Sequence, residues 1–293
     1  DILENGEKSK YRDWYFIDGF PLKSEWGEIP NFKCFGYYGG MPKLNLKNPE
    51  VEKYITDVAC YWIKECDIDG WRLDVGDEIS HFFWKNFRKA VKAVKKDLLI
   101  IGEIWHYAGD FLEGDEWDTV MNYPFYLNLI DLLADEKITV SQFVQNLGYL
   151  KGRLHKNCYP LMWNLIDSHD TARFLHLCND NKKKQHLAAA FQLLLPGMPM
   201  IYYGDEYAMP GANDPDCRRG MYWEEEYQDK EMYEWYKRLI QVRKSHACIV
   251  EGELAGIVTE DEEGTVVLIR KNGEETIAMI FNCSSSAKKF NEY

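Results

Sequence analysis

Apolar side chains recur every three to four positions between residues 51 and 66, which is the spacing of an amphipathic helix. Asn48 and Pro49 stand just ahead of this segment, and proline is favoured in the first turn of a helix. The 79–94 segment is thickly aromatic, and we expect most of its rings to pack in the core rather than to bind a ligand. Helices are predicted over 51–66, 79–94, 125–133, 140–154, 182–195 and 227–244.

Short apolar runs alternate with these helices, and three of the runs lead directly to acidic side chains: Asp74, Glu103, and the pair Asp167 and Asp170. Strands that alternate with helices and end in polar residues are typical of a (β/α) barrel with its site on the C-terminal face. Each acid alone is compatible with a helix N-cap or a solvated position, but three in register favour a functional site. The predicted strands cover about 68–75, 98–104, 119–123, 161–166 and 200–203.

Two of these acids have neighbours that predict their chemistry. In a strand, Arg72 and Asp74 face the same way, and a guanidinium beside a carboxylate keeps that carboxylate ionised. An ionised aspartate at a strand end suits the nucleophile of a glycoside hydrolase, although a structural ion pair is the alternative. Glu103 lies among Ile, Gly and Trp, so we expect a raised pKa, which suits a general acid.

Three segments, 70–75, 102–106 and 167–173, resemble the second, third and fourth signature regions of the α-amylase superfamily, a group of retaining α-glucan glycoside hydrolases. Their sequences are Gly-Trp-Arg-Leu-Asp-Val, Gly-Glu-Ile-Trp-His and Asp-Ser-His-Asp-Thr-Ala-Arg. The segments 41–45 and 204–218 resemble the branch that contains neopullulanases, cyclomaltodextrinases and maltogenic amylases. The resemblance covers nearly the whole chain.

The resemblance implies an α/β fold: a (β/α)8 TIM-type barrel, represented here mainly by strands four to eight, followed by the start of an all-β C-terminal domain. Residues 1–47 would end the domain inserted after barrel strand three, 48–247 would form the C-terminal part of the catalytic barrel, and 248–293 would begin the β-domain. Strand-like runs with intervening turns support the last assignment, at 254–259, 265–270 and 276–282.

The family's first signature region, which holds an Asn-His pair, would lie upstream of Asp1, together with barrel strands one to three. We therefore expect a truncated chain or one fragment of a larger enzyme. An incomplete barrel has two unpaired sheet edges and an exposed apolar interior. We expect the isolated chain to be poorly active and to associate into a homo-oligomer that covers those edges.

The resemblance also implies three catalytic roles. Asp74 would attack the anomeric carbon and form a covalent glycosyl-enzyme, and Glu103 would protonate the leaving oxygen and then activate water. Asp170 would bind hydroxyls of the distorted sugar and stabilise the oxocarbenium-like transition state. In a retaining enzyme the carboxyls of Asp74 and Glu103 should lie about 5–5.5 Å apart, whereas about 6.5–9.5 Å would indicate inversion.

Five further residues would contact substrate or orient these groups. Arg72 would hold Asp74 ionised, His169 would hydrogen-bond a sugar hydroxyl, and Trp105 would line the cleft. Residues matching Asp214 and Arg218 grip a sugar further from the cut bond in this branch. The alternative for that last pair is a salt-bridged structural loop.

Composition narrows the partners. The net charge of −13 argues against nucleic acid or an anionic membrane surface, but not against a neutral α-glucan or cyclodextrin. The eight cysteines form no Cys-x-x-Cys pair and no zinc-type spacing, which fits a reducing cytosol and predicts a cytoplasmic protein. No cofactor is required, since two carboxylates do the chemistry. The oxygen-rich segment 213–216 is more typical of a sugar-contacting or structural loop than of a calcium site.

The predicted function is retaining hydrolysis of α-1,4-glucosidic bonds in cyclodextrins, pullulan or maltooligosaccharides, with glycosyl transfer to acceptor sugars as a second activity. One alternative is a non-catalytic glycan-binding or interaction relative of the same fold. Among enzymes, the alternatives are a plain α-amylase and an α-1,6-oligoglucosidase. The presence of all three acids favours an enzyme, and the Met-Pro-Lys-Leu-Asn segment at 41–45 favours the cyclomaltodextrinase branch.

Overall fold

The computed structural model describes residues 1–289 apart from 26, 156 and 274, so the last four residues of the predicted β-domain lie outside the described part. The chain divides into two compact units. The first contains residues 1–101 and 114–117, and the second contains 102–113 and 118–293. The predicted domain boundaries after residues 47 and 247 are a different division of the chain and stay a prediction.

All six predicted helices are confirmed, with ends that differ by up to three residues from the predicted ones. The caps explain two of these differences. The side chain of Ser80 accepts a hydrogen bond from the Phe83 amide, and that of Asp229 accepts one from the Met232 amide. The helices are α1 (Ile2–Asn5), α2 (Pro49–Cys66), α3 (His81–Val94), α4 (Tyr123–Leu133), α5 (Val140–Arg153), α6 (Phe174–Leu177), α7 (Lys182–Leu194), α8 (Lys230–Ser245) and α9 (Ala247–Glu251).

The strands are short in the predicted barrel and longer near the C-terminus. They are β1 (Gly70–Leu73), β2 (Leu99–Gly102), β3 (Thr119–Val120), β4 (Trp163–Asn164), β5 (Met198–Pro199), β6 (Glu253–Glu260), β7 (Thr265–Lys271) and β8 (Thr276–Asn282).

In the second unit, backbone hydrogen bonds connect successive strands in chain order. The Met121 amide donates to the Gly102 carbonyl at 3.1 Å, and the Asn122 amide donates to Trp163 at 2.8 Å. The pairing of β4 with β5 is parallel. Parallel neighbours in chain order, joined through helices, are the pattern expected of a (β/α) fold.

The last barrel strand lies at Met198–Pro199, so the prediction of 200–203 was wrong. The Met198 amide donates to the carbonyl of Met162, just before β4, and the Met200 amide donates to that of Asn164 in β4. The proline thus lies between two donors, where its missing N–H costs no hydrogen bond. Beyond that point the Met200 carbonyl accepts from the side chain of Gln192 at 2.7 Å. The chain then turns at Gly204, where φ is +90°, and cannot continue as a strand.

The C-terminal antiparallel sheet has the strand order β6, β7, β8 and confirms the predicted all-β character. Val266 and Phe281 on this sheet are buried in one core with residues of α4, α5, α7 and α8. The Phe281 ring stacks on Phe191 with centroids 4.2 Å apart. This sheet and the helices that follow the barrel strands therefore share a hydrophobic core.

In the first unit the aromatic face of α3 is buried, as predicted, at Phe83, Trp84 and Phe87. The Trp84 indole donates to the Gly76 carbonyl at 2.8 Å, and a Cβ on Gly76 would lie 2.6 Å from Trp117. A larger residue at 76 would therefore displace the turn that follows β1. Among the described residues, no helix is long and apolar enough to cross a membrane.

Candidate active site

Asp74 directly follows β1 in the first unit, and Arg72 forms an ion pair with its carboxylate. The side chain of Asp74 is 75% exposed, while that of Arg72 is 27% exposed. Val75 adopts a left-handed conformation with φ of +45°, so the extended backbone does not continue beyond Asp74. The strand therefore presents an oriented, ion-paired carboxylate at its C-terminal end, as the i, i+2 spacing predicts.

Glu103 directly follows β2 in the second unit and is buried, with 5% of its surface exposed. The Trp105 indole N–H donates to its Oε1 at 3.0 Å. The Trp105 ring stacks on Tyr123 at a centroid distance of 4.0 Å, and the Tyr123 hydroxyl is hydrogen-bonded to Ser168 at 3.1 Å. One chain of contacts thus runs from the candidate acid to the segment that carries Asp170.

Two other predicted site residues, His169 and Arg218, contact Asp170. Its carboxylate accepts from Arg218 Nη2 at 2.9 Å and lies 3.0 Å from His169 Nε2. The Asp170 amide donates to the Ser168 hydroxyl, and the Ser168 amide in turn donates to Thr171 Oγ1. These local bonds fix the turn after β4, so that the Asp170 carboxylate is oriented by the backbone as well as by its partners.

The 213–219 loop contains two ion pairs side by side. Arg218 Nε pairs with Asp214 at 2.7 Å, and Arg219 binds Asp216 through two bonds of 2.7 and 2.9 Å. The hydrogen bond from Arg219 lowers the pKa of Asp216. Arg218 joins the loop to Asp170, so this loop is salt-bridged and also belongs to the candidate site.

A calcium ion does not fit this loop, because guanidinium groups already bind the carboxylates of Asp214 and Asp216. In the described part of the chain, no group of three or more His, Cys, Asp or Glu side chains could hold a metal ion.

A fully buried arginine, Arg173, follows Asp170 by three residues. Arg173 Nη1 donates to the Tyr203 carbonyl at 2.8 Å and lies 3.2 Å from Asp205 Oδ1. Its guanidinium lies 4.4 Å from the centre of the Tyr202 ring, and its backbone amide donates to the Gly211 carbonyl at 2.9 Å. Arg173 therefore fastens the segment after β4 to the segment after β5.

Two buried carboxyls accompany this arginine. Asp167 Oδ2 accepts from the Phe174 amide at 2.8 Å, which caps α6. Burial raises the pKa of both Asp167 and Asp205, and the neighbouring charge of Asp167 raises that of Asp205 further. Burial therefore favours the neutral form of both carboxyls, and the charge of Asp167 adds to this effect at Asp205.

The sequence analysis did not assign roles to Tyr123, Arg173 or Asp205. Arg173 and Asp205 lie inside segments that matched the family, and an arginine within the apolar run 172–175 is the signal that points to a buried charge. Tyr123 is the last residue of the predicted strand 119–123. Unlike the two predicted strands before it, this strand contains no acidic residue. No pattern in the sequence indicates its stacking on Trp105.

Comparison with known proteins gives the family. The model of the family described as "Alpha amylase, catalytic domain" matches residues 3–252 of this chain. The chain belongs to the α-amylase catalytic-domain family. This confirms the predicted superfamily and its TIM-type barrel as the fold class of the chain.

Individual relatives fall in the predicted branch. A cyclomaltodextrinase of Geobacillus thermopakistaniensis is 45% identical over 98% of this chain and 48% of its own length. A maltogenic α-amylase of Bacillus acidopullulyticus is 42% identical over 99% of this chain and 50% of its own length. A solved cyclomaltodextrinase structure has a TM-score of 0.93 at 40% identity, covering 96% of this chain and 48% of that one. The chain thus spans about half the length of the curated relatives it matches.

We expect Arg173→Met to lower the free energy of unfolding by about 3–5 kcal/mol, because it leaves Asp167 and Asp205 buried without a cation. Arg173→Lys should lose less, since it keeps the charge. Arg219→Met removes a surface pair and should cost about 0–1 kcal/mol. Urea denaturation measures all three, and equal losses for Arg173→Met and Arg219→Met would contradict the role of the buried pair.

The pH dependence of stability should report the raised pKa of Asp205. Its folded pKa lies above the ordinary value of 3.8, so its contribution is fully present below that pH and is lost as pH rises through the folded pKa. The unfolding free energy of the wild type minus that of Asp205→Asn should therefore fall with rising pH. For Asp216→Asn, which removes a carboxyl of lowered pKa, the same difference should rise as pH increases towards 3.8. Slopes of the same sign in urea titrations would refute this assignment.

Proposed function

We propose that the chain carries the catalytic residues of a retaining glycoside hydrolase that cleaves α-1,4-glucosidic bonds in cyclodextrins, pullulan or maltooligosaccharides. The observation that carries the proposal is the buried carboxyl of Glu103, which follows a strand and is held by the Trp105 indole. A buried, oriented carboxyl at the C-terminal end of a barrel strand is what a general acid requires. The relatives named cyclomaltodextrinase and maltogenic α-amylase support the substrate class.

In this proposal the Asp74 carboxylate attacks the anomeric carbon while Glu103 gives its proton to the leaving glycosidic oxygen. The products are a shortened glucan and a covalent glycosyl-enzyme. Glu103, now a carboxylate, takes a proton from water, which attacks the same carbon and releases Asp74. An acceptor sugar hydroxyl in place of that water gives glycosyl transfer. Arg72 forms an ion pair with the Asp74 carboxylate and would hold it in position for the attack.

Asp170, His169 and Arg218 form the second part of the proposed machinery. Asp170 and His169 would hold hydroxyls of the distorted sugar, while Arg218 and Asp214 would hold the next sugar and keep Asp170 in place. Trp105 would line the cleft beside the acid. All eight cysteines are free thiols, which supports a cytoplasmic location. The proposal also includes association of the chain into a homo-oligomer.

The direct test is reducing-sugar release from β-cyclodextrin, pullulan and soluble starch, measured on this chain and on the full-length product of its gene. The full-length product should cut cyclodextrin faster than starch. Asp74→Ala should abolish activity, and Glu103→Gln should lower kcat about 10²–10⁴-fold through loss of the general acid. The matched control is Glu113→Gln, which replaces an exposed acid in the same unit as Glu103. It should leave both kcat and the preference for cyclodextrin unchanged.

A folded full-length product that is inert on all three substrates would refute the proposal and favour the non-catalytic glycan-binding relative. Hydrolysis that prefers starch, or that cuts only α-1,6 bonds, would support the α-amylase or the α-1,6-oligoglucosidase instead.

Two adjacent arginines allow a matched test of the 213–219 loop. Arg218→Met removes the charged partner of Asp170, and loss of such a bond should lower kcat/KM about 10–100-fold. Arg219→Met removes an arginine of similar exposure that binds Asp216 instead, and should leave kcat/KM within about twofold. Steady-state kinetics on β-cyclodextrin separates them, and equal losses would show that the loop is only structural.

A further inference from the structure

A cavity of about 480 Å³ lies in the second unit, between α5 and the C-terminal sheet. Its volume lies within the usual range of small-ligand sites. Ile257, Leu268 and Met279 line it on the sheet side, and Phe143 and Leu147 line it on the helix side. In the described part of the chain, none of the candidate active-site residues lines this cavity, so the proposed hydrolysis does not account for it.

One charged side chain interrupts the apolar wall on the sheet side. Val266, Leu268 and Arg270 alternate along β7 and therefore point to the same face of the sheet, where Val266 and Leu268 belong to the hydrophobic core. Arg270 lines the cavity and is only 4% exposed. A buried guanidinium is expensive to desolvate, so a charge at this position requires partners.

The described residues give this guanidinium one hydrogen-bond partner. Arg270 Nη2 donates to the Gly252 carbonyl, whereas Nε and Nη1 are buried and have no partner in the described part of the chain. Burial lowers the pKa of Arg270, and the opposing effects come from Cys248 and Tyr159 rather than from a carboxylate. Buried polar groups nearly always have a partner, so these two nitrogens indicate an acceptor that is not part of the chain.

A second arginine favours an anion over a water molecule as that acceptor. Arg243 on α8 uses its guanidinium to donate to the carbonyls of Leu193 and Gly197 at 2.7 and 2.6 Å. Burial lowers the pKa of Arg243, and the charge of Arg270 lowers it further, so the two guanidiniums repel each other. An anion bound to Arg270 would offset this repulsion, whereas a neutral water molecule would not.

The other charges of the cavity wall favour a monoanion. Lys151, Glu251 and Glu253 also line the cavity and are exposed. Together with Arg270 they give the wall two positive and two negative charges. This balance leaves no excess positive charge to hold a dianion such as phosphate, and the two glutamates would repel it.

The surface around the guanidinium is apolar. Val250, Leu254 and Ile257 line the cavity and are exposed, and Leu254 is the cross-strand partner of Arg270 in the sheet. The covered nitrogens of Arg270 become accessible only when a neighbouring side chain moves, and the exposed Leu254 is the neighbour directly opposite. Exposed apolar side chains at the edge of a concavity are typical of a site for an apolar ligand.

We propose that this cavity binds an organic monocarboxylate, whose carboxylate accepts hydrogen bonds from Arg270 and whose apolar body lies along Leu254 and Ile257. Tyr159 also lines the cavity. Burial raises the pKa of Tyr159 to about 12, so its hydroxyl keeps its proton at neutral pH and adds no competing negative charge. The inference goes beyond the proposed function and does not depend on it.

The test is calorimetric titration of sodium octanoate into the full-length product of the gene. Octanamide, a neutral analogue of the same shape, should bind at least tenfold more weakly, because it cannot offer a charged acceptor. Arg270→Met should weaken octanoate binding about 10–100-fold, and Arg270→Lys should lose less because it keeps the charge. The matched control is Arg238→Met, which removes an exposed arginine of α8 and should leave the affinity unchanged.

The comparison of octanoate with octanamide uses the wild-type protein, so it decides the matter even if an Arg270 variant does not fold. Equal affinity for the two ligands, or unchanged octanoate affinity in a folded Arg270→Met protein, would overturn the proposal. Inorganic phosphate that bound as tightly as octanoate would show a general anion site and overturn the monocarboxylate assignment. Absence of octanoate binding would leave water as the partner of Arg270 and would also overturn it.

Discussion

The candidate site of the second unit depends on the contacts that the buried Arg173 makes with the segment after β5. Arg173 is completely inaccessible, and its bonds reach the Tyr203 carbonyl, Asp205 and, through its own amide, Gly211. A buried charge is expensive to desolvate, so it persists only where partners surround it. Here those partners belong to the segment that also carries Arg218, the cation that binds Asp170 three residues before Arg173. The same arginine thus fixes both sides of the Asp170–Arg218 pair.

The pKa values of Asp167 and Asp205 depend on their burial and on the charges beside them. Two carboxylates beside one guanidinium in a dry site would leave a net negative charge, and burial resists that charge. Burial raises the pKa of both carboxyls, and the charge of Asp167 raises the pKa of Asp205 further. Asp167 also caps α6, because its carboxyl accepts a hydrogen bond from the Phe174 amide.

The sequence predicted those parts of the molecule that follow local rules. Helix periodicity located α2, α3, α4, α5, α7 and α8, and strand alternation predicted that Arg72 would pair with Asp74. It misplaced β5, because the end of that strand is decided by the Gln192 side chain and the turn at Gly204 rather than by apolar composition. The sequence analysis also missed the contacts of Arg173 with Tyr203 and Asp205, and the stacking of Trp105 on Tyr123. Both depend on residues far apart in sequence whose proximity no short-range pattern encodes.

The two proposed catalytic carboxyls have opposite environments. Asp74 is largely exposed and forms an ion pair with the Arg72 guanidinium. Glu103 is buried and accepts a hydrogen bond from the neutral Trp105 indole. The Trp105 ring that orients Glu103 is in turn stacked on Tyr123, whose hydroxyl is hydrogen-bonded to Ser168. The position of the proposed acid therefore depends on the segment after β4 as well as on the strand that the acid follows.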